Sequence, residues 1–235
     1  MDNFNQFGYN QPSAVLTQEI SKVMRGVYMR MCLALIVTGL VSFFVAAEGS
    51  LVQLMATSRL FFWGLIIAEF GVVIAISGAL HKMSSAMASL LFYLYAVLNG
   101  VVFSTLFYAF DLTSLAQTFL ITAGVFGAMT AYGYFTKNDL SRFGSLMVMA
   151  LFGLIICTIV NIFIASSTMD WIISFAGVAI FIGLTAWDTQ KIKTMLAYDG
   201  GVNTSKIATI GALSLYLDFI NLFLYLLRFF GSSRE

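Results

Sequence analysis

Apolar positions along this chain come in long blocks instead of the short periodic stretches of a soluble fold. Runs with few or no charges occur at about 31–47, 60–80, 86–110, 112–136, 144–169, 171–187 and 207–230. A helix needs about 20 predominantly apolar residues to cross a bilayer. The pattern therefore predicts an all-α, polytopic membrane protein with seven transmembrane helices. Short turns rich in Gly, Ser, Asp and Asn separate the runs, except for a longer polar segment at 188–206. Polar residues dominate the start of the chain, which predicts an N-terminal tail over 1–28 and one transmembrane domain over 29–235. That polar lead is too long for a cleaved signal peptide. Neither an internal repeat nor a proline-broken pair of half-helices, a common device of transporters, is visible.

Composition agrees with a bilayer setting. Hydrophobic residues make up 60% of the chain and charged residues 10%, against roughly 45–50% and about 25% in soluble domains. No soluble fold of this size has enough interior to hide so much apolar surface. A formal net charge of +1 gives no footing for nucleic acid. Cys32 and Cys157 both fall in apolar runs, so they read as small buried hydrophobes and not as a disulfide framework.

Lys and Arg set the orientation. With the N-terminus inside, the inner segments carry Lys22, Arg25, Arg30, Lys82, Lys137, Arg142, Lys191, Lys193 and Lys206, and the outer ones only Arg59, Arg228 and Arg234. Nine against three predicts a cytoplasmic N-terminus and, with seven spans, a C-terminus outside.

Charges within the spans are few, and each is a functional candidate because ionisable groups in hydrocarbon cost several kcal/mol. Asp218 lies near the middle of the seventh run. Gly211, Ser214, Asp218, Asn221 and Tyr225 fall on one helical face, a polar stripe that must look at protein or water and not at lipid. It reads either as a hydrogen-bonding seam or as a pathway. Asp188 closes the sixth run at its inner end, where a carboxylate opposes the helix dipole and an interfacial salt bridge to Lys191 or Lys193 is the plain alternative. Both aspartates fall in the inner halves of adjacent helices. If they meet, they share a proton and titrate as a unit.

Glu69 is alone in the second run. Its roles are a hard-cation ligand, an ion pair with Arg228 lying on the order of 10 Å away along the membrane normal, or a protonated packing group. His81, the sole histidine, and Lys82 sit at the inner mouth of that run. Asn99 and Asn161 read as buried amides joining helices.

Two stretches carry a family resemblance. Ala212-Leu213-Ser214-Leu215-Tyr216-Leu217-Asp218-Phe219-Ile220-Asn221-Leu222-Phe223, continuing through Leu226-Leu227-Arg228-Phe229-Phe230-Gly231, resembles the last helix of the Bax inhibitor-1 family. Trp187-Asp188-Thr189-Gln190-Lys191-Ile192-Lys193 is similar to the end of that family's sixth helix. Thr136-Lys137-Asn138-Asp139-Leu140-Ser141 and the Ala-Glu-Phe around Glu69 add to the match, and the short tail after Gly231 resembles the bacterial branch.

The resemblance implies six helices wrapped around a central seventh. It also implies a passive, pH-sensitive calcium leak whose sensor is an aspartate pair, falling here on Asp188 and Asp218. The family's second-helix glutamate falls on Glu69 and its last-helix arginine on Arg228, which makes the two candidates for the permeation path or for an ion pair. Calcium is then the permeating ion, held only transiently by Asp188, Asp218 and Glu69, and no cofactor is expected. Bacterial relatives place a latch arginine where this chain has His81 and Lys82, so a different base would have to serve. The setting implied is the bacterial inner membrane, with lipid, calcium ions and protons as partners.

An enzyme is not expected. Pro12 is the only proline, which removes the motif of intramembrane aspartyl proteases, and one histidine leaves no metal or serine machinery. Two further alternatives are a regulator that binds another membrane complex, such as a protease, through residues 2–18, and a proton-coupled transporter.

Overall fold

The computed structural model describes residues 14–79, 83–199 and 203–232. His81 and Lys82 lie outside the described residues. All regular structure among them is helical: α1 (Ala14–Glu48), α2 (Ser50–Thr57), α3 (Arg59–Ala79), α4 (Ser85–Phe103), α5 (Leu106–Ala109), α6 (Leu112–Phe135), α7 (Ser141–Ile164), α8 (Ser167–Tyr198) and α9 (Thr204–Phe230). Seven helical segments are long and apolar enough to cross a membrane, with α4 and α5 together making one of them.

Helix α1 starts well inside the stretch read as a polar tail. Ile20, Met24, Val27, Met31, Ala34 and Thr38 are all buried, spaced alternately by four and three residues. That is the narrow apolar seam of a helix packed on other helices, and it runs past the apolar block into the polar one. The chain leaves α1 at Gly49, whose φ of 79° is a left-handed conformation that glycine adopts without steric cost. The short α2 then follows where only a turn was expected.

A second difference concerns α8. The segment 188–206 does not form a long connection, because α8 continues to Tyr198 and α9 begins at Thr204. Asp188 is therefore a helix-interior residue almost three turns from the C-terminus, and the dipole argument against its position falls away. The cysteines differ too: Cys32 and Cys157 are both exposed on the outside of the bundle and not buried between helices.

Close approach between spans rests on small residues, as is usual in membranes. A side chain at Gly133 would collide with the backbone of Ala186, and one at Gly144 with the Trp187 ring, which sets α6 and α7 against α8. Gly100 similarly lets α4 lie on Thr38 and Val41 of α1. Span burial is graded. Almost none of the α3 span is buried, against about two thirds of α9, which packs on α1, α4, α6 and α8.

Candidate functional site

The functional candidates distribute over two opposite sides of α9. Antiparallel α8 and α9 are in register through Gly211 on Ile192 and Gly177 on Tyr225. The same register sets Asp188 level with Ser214 or Leu215, so Asp218 stands about one turn, ~5 Å, further along the axis. The two carboxylates are near enough for the charge of Asp188 to act on Asp218. No hydrogen bond joins them among the described residues, and one carboxylate oxygen of Asp218 is buried without a partner. Asp218 is 5% exposed, which makes this the deepest carboxylate among the described residues.

Neither lysine near Asp188 forms an ion pair with it, although the charge of Lys191 acts on both aspartates. Lys191 lies over the Trp187 ring at 4.6 Å. Lys193 donates to the Tyr134 carbonyl at 2.8 Å and covers its ring. The interfacial salt bridge that was the plain alternative for Asp188 is thus absent among the described residues.

The polar stripe of α9 faces α8, as an inward-looking stripe must. Tyr225 stacks on Phe181, and Arg228 reaches Ser174 at 3.4 Å and Asp170 at 3.9 Å. Asn221 donates to the Leu217 carbonyl of its own helix, and Ser214 is half-buried beside Asp218. Arg228 therefore pairs with Asp170, and the Glu69–Arg228 pair does not form.

Glu69 belongs to the other side of α9. It acts electrostatically on the hydroxyls of Tyr95 and Tyr216, and one of its carboxylate oxygens is buried without a partner. Tyr216 precedes Asp218 by two residues, about 200° around the helix, so the two point in nearly opposite directions. Accordingly, no group of three acidic, cysteine or histidine side chains gathers among the described residues. The set of Asp188, Asp218 and Glu69 does not form one calcium site.

A buried hydroxyl cluster on the Glu69 side was not singled out from sequence. Thr38 and Tyr216 hydroxyls lie 2.7 Å apart, and Thr38 also lies 2.9 Å from the Ala96 carbonyl and 3.0 Å from that of Ala34. The Thr38 proton goes to a carbonyl, so Tyr216 donates to Thr38. The one sequence signal for this cluster is the seam of α1, which turns from apolar to hydroxyl side chains at Thr38 and Ser42.

Other polar groups fix the helix ends. Asn161 donates to Asp170 at 2.8 Å and to the Ser166 carbonyl, and accepts from the Ser166 backbone. It thereby joins α7 to α8 across the left-handed Ala165. Asn99 instead bonds within its own helix, to the Tyr95 carbonyl. Gln190 accepts from the Leu140 N–H and donates to the Asn138 carbonyl, both at 2.8 Å. The two short motifs Trp187–Lys193 and Thr136–Ser141 are thus parts of one structure. Arg30 of α1 donates to the Ser205 carbonyl and the Thr209 hydroxyl, each at 3.1 Å, at the start of α9.

Seven helices long and apolar enough to cross a membrane, with a buried carboxylate, Asp218, on the last of them, define a polytopic membrane protein. Residues 20–235 match the family described as inhibitor of apoptosis-promoting Bax1. The chain is 44% identical over 214 residues to the inner membrane protein YbhL of Escherichia coli K12, covering 90% of this chain and 92% of that one. It is 41% identical over 217 residues to an uncharacterized protein of Borreliella burgdorferi, covering 92% and 94%. An uncharacterized membrane protein of Streptococcus pyogenes serotype M3 is 37% identical over 225 residues, covering 96% and 97%. The chain belongs to the Bax inhibitor-1 family.

Proposed function

We propose that the protein is a passive cation leak of the inner membrane, with calcium as its ion, gated by protonation of Asp188 and Asp218. The observation that carries the reading is Asp218: a carboxylate buried in the most buried span, beside a second carboxylate, with an unpartnered oxygen and no basic group bonded to it. Such a group is costly unless a proton or a cation compensates its charge. Each proton gained or lost changes the repulsion across the α8–α9 contact, and that contact is what a gate must move. Asp170 and Arg228 at one end of α8 and α9 form the mouth of the path. Glu69 acts from the opposite wall of α9, through Tyr216. The E. coli relative is named as an inner membrane protein, and we adopt the same setting here, with the N-terminus cytoplasmic.

Calcium flux into liposomes holding the purified protein, measured across pH, tests the gate. Asp218→Asn and Asp188→Asn are each expected to flatten or shift the flux–pH curve, with Asp218→Asn the stronger. A uniform drop in flux at an unchanged midpoint in both variants would refute proton sensing by this pair.

A further inference from the structure

A groove of about 410 Å³ opens on the outside of the bundle between α1 and α6. Phe219, Ile220 and Phe223 of α9 form its floor, and Leu112, Phe119 and Leu120 stand exposed along it. Its two hydroxyls are already engaged, Thr38 as above and Ser42 on the Gly100 carbonyl at 2.9 Å. What remains is a hydrocarbon surface at membrane depth, which water does not fill.

At the end where α1 finishes and α6 begins, the groove runs into a second hollow, sharing Phe107 and Leu112 with it. This hollow is polar. The side chains of Asp111, Thr113 and Gln117 line it and have no hydrogen-bond partner among the described residues, while Ser114 accepts from the Ser232 N–H. No lysine or arginine lines it among the described residues. From Leu35 at the deep end to Ala47 at the polar end, α1 rises ~18 Å, against ~15 Å for half the hydrocarbon core of a bilayer. The apolar slot alone covers ~10–12 Å of α1 and α6, and slot and polar hollow together are about one leaflet deep, the profile of a phospholipid's headgroup and upper acyl chain.

Charge selects the headgroup. Among the described residues no cation neighbours the Asp111 carboxylate, and such a carboxylate repels phosphatidylglycerol and favours a headgroup that carries an ammonium. Asp111 can accept N–H bonds from a primary ammonium but none from choline. The Thr113 hydroxyl and the Gln117 amide are donors for phosphate or ester oxygens. We propose that the α1–α6 groove and the hollow beside it form one binding site for phosphatidylethanolamine from the surrounding bilayer. One acyl chain lies on Phe219 and Phe223, and the ammonium lies on Asp111. The site is independent of the leak reading.

Native mass spectrometry tests it, on full-length protein equilibrated with equimolar phosphatidylethanolamine, phosphatidylcholine and phosphatidylglycerol of matched acyl chains. The expected result is one retained lipid, with phosphatidylethanolamine favoured roughly five- to tenfold, the scale of one charge-assisted hydrogen bond at a half-open site. Asp111→Asn should bring phosphatidylethanolamine down to the level of phosphatidylcholine. Gly39→Phe and Ala116→Trp fill the groove from its two walls and should abolish retention of all three lipids. A Cβ at Gly39 meets nothing within 4 Å, so that variant keeps the test alive if the other fails to fold. Three outcomes overturn the proposal: no retained lipid, a preference that survives Asp111→Asn, or retention unchanged in the folded groove-filling variants. A dimer that Gly39→Phe dissociates would also overturn it, by assigning the groove to a second copy of the chain.

Discussion

One methyl group is enough to separate structural from permissive glycines in this bundle. A Cβ at Gly144 runs into the Trp187 ring, whereas at Gly153, on the same helix, it meets nothing within 4 Å. Overpacking of a close contact costs about 1–3 kcal/mol, while Gly to Ala in an open helix position gains up to about 1 kcal/mol. Thermal unfolding in detergent should therefore show Gly144→Ala destabilised, with altered Trp187 fluorescence, and Gly153→Ala unchanged or slightly stabilised. A second residue-scale prediction concerns Asp139, in the turn outside the spans. Hydrogen bonds from the Ser141 side chain and backbone, the latter at 2.9 Å, hold its carboxyl below the ordinary carboxylate range. A lowered folded value means that its contribution is present above the ordinary carboxylate pKa and fades as pH falls through the lowered value. The stability gap between wild type and Asp139→Asn should accordingly close on acidification. A gap that widens in acid would show that Asp139 is not acting as an acceptor.

At the scale of elements, α8 is tied to the α6–α7 turn by one side chain. Gln190 satisfies two backbone groups there, and truncation leaves both without that partner. Gln190→Ala should cost about 1–3 kcal/mol, and hydrogen exchange should rise at Asn138–Ser141 before it rises elsewhere. The Arg228–Asp170 pair behaves differently. Both side chains are about half exposed, 47% and 62%, and such pairs are worth ~0–1 kcal/mol. Asp170→Asn should leave the melting temperature nearly unchanged while altering calcium flux, because it removes a charge from the proposed mouth. Unaltered flux at every pH would remove Asp170 and Arg228 from the path. Element ends were the least legible feature of the sequence. Charged residues mark where a helix meets water, not where it stops, so α1 and α8 both continue through segments that composition assigns to tail and loop.

For the whole molecule, the proposed topology has seven spans, an odd number, and so expects the two ends of the chain on opposite sides. The excess of Lys and Arg on one set of segments predicts that reporters fused after Glu235 are active outside and silent in the cytoplasm. Activity confined to the cytoplasm would invert the topology and with it the direction assigned to the Asp170–Arg228 mouth. The bundle is also two-sided about α9, with hydroxyls and Glu69 on the α1 and α4 side and the aspartates on the α8 side. A perturbation at Tyr216 and one at Asp218 act on the same helix from opposite faces.

Span number, helical class and family were legible in the chain itself, because a bilayer demands long apolar runs and because the motifs around Asp188 and Asp218 are contiguous in sequence. The polar stripe of α9 was legible as well, since one helix fixes which of its own residues share a face. Which partner each charge meets was decided only by tertiary structure. Arg228 found Asp170 and not Glu69, Lys193 found the Tyr134 carbonyl and not Asp188, and Glu69 joined the Tyr95 and Tyr216 side. Those choices depend on the rotation and register of neighbouring helices, which packing against glycines such as Gly144 and Gly177 sets and which hydropathy does not encode.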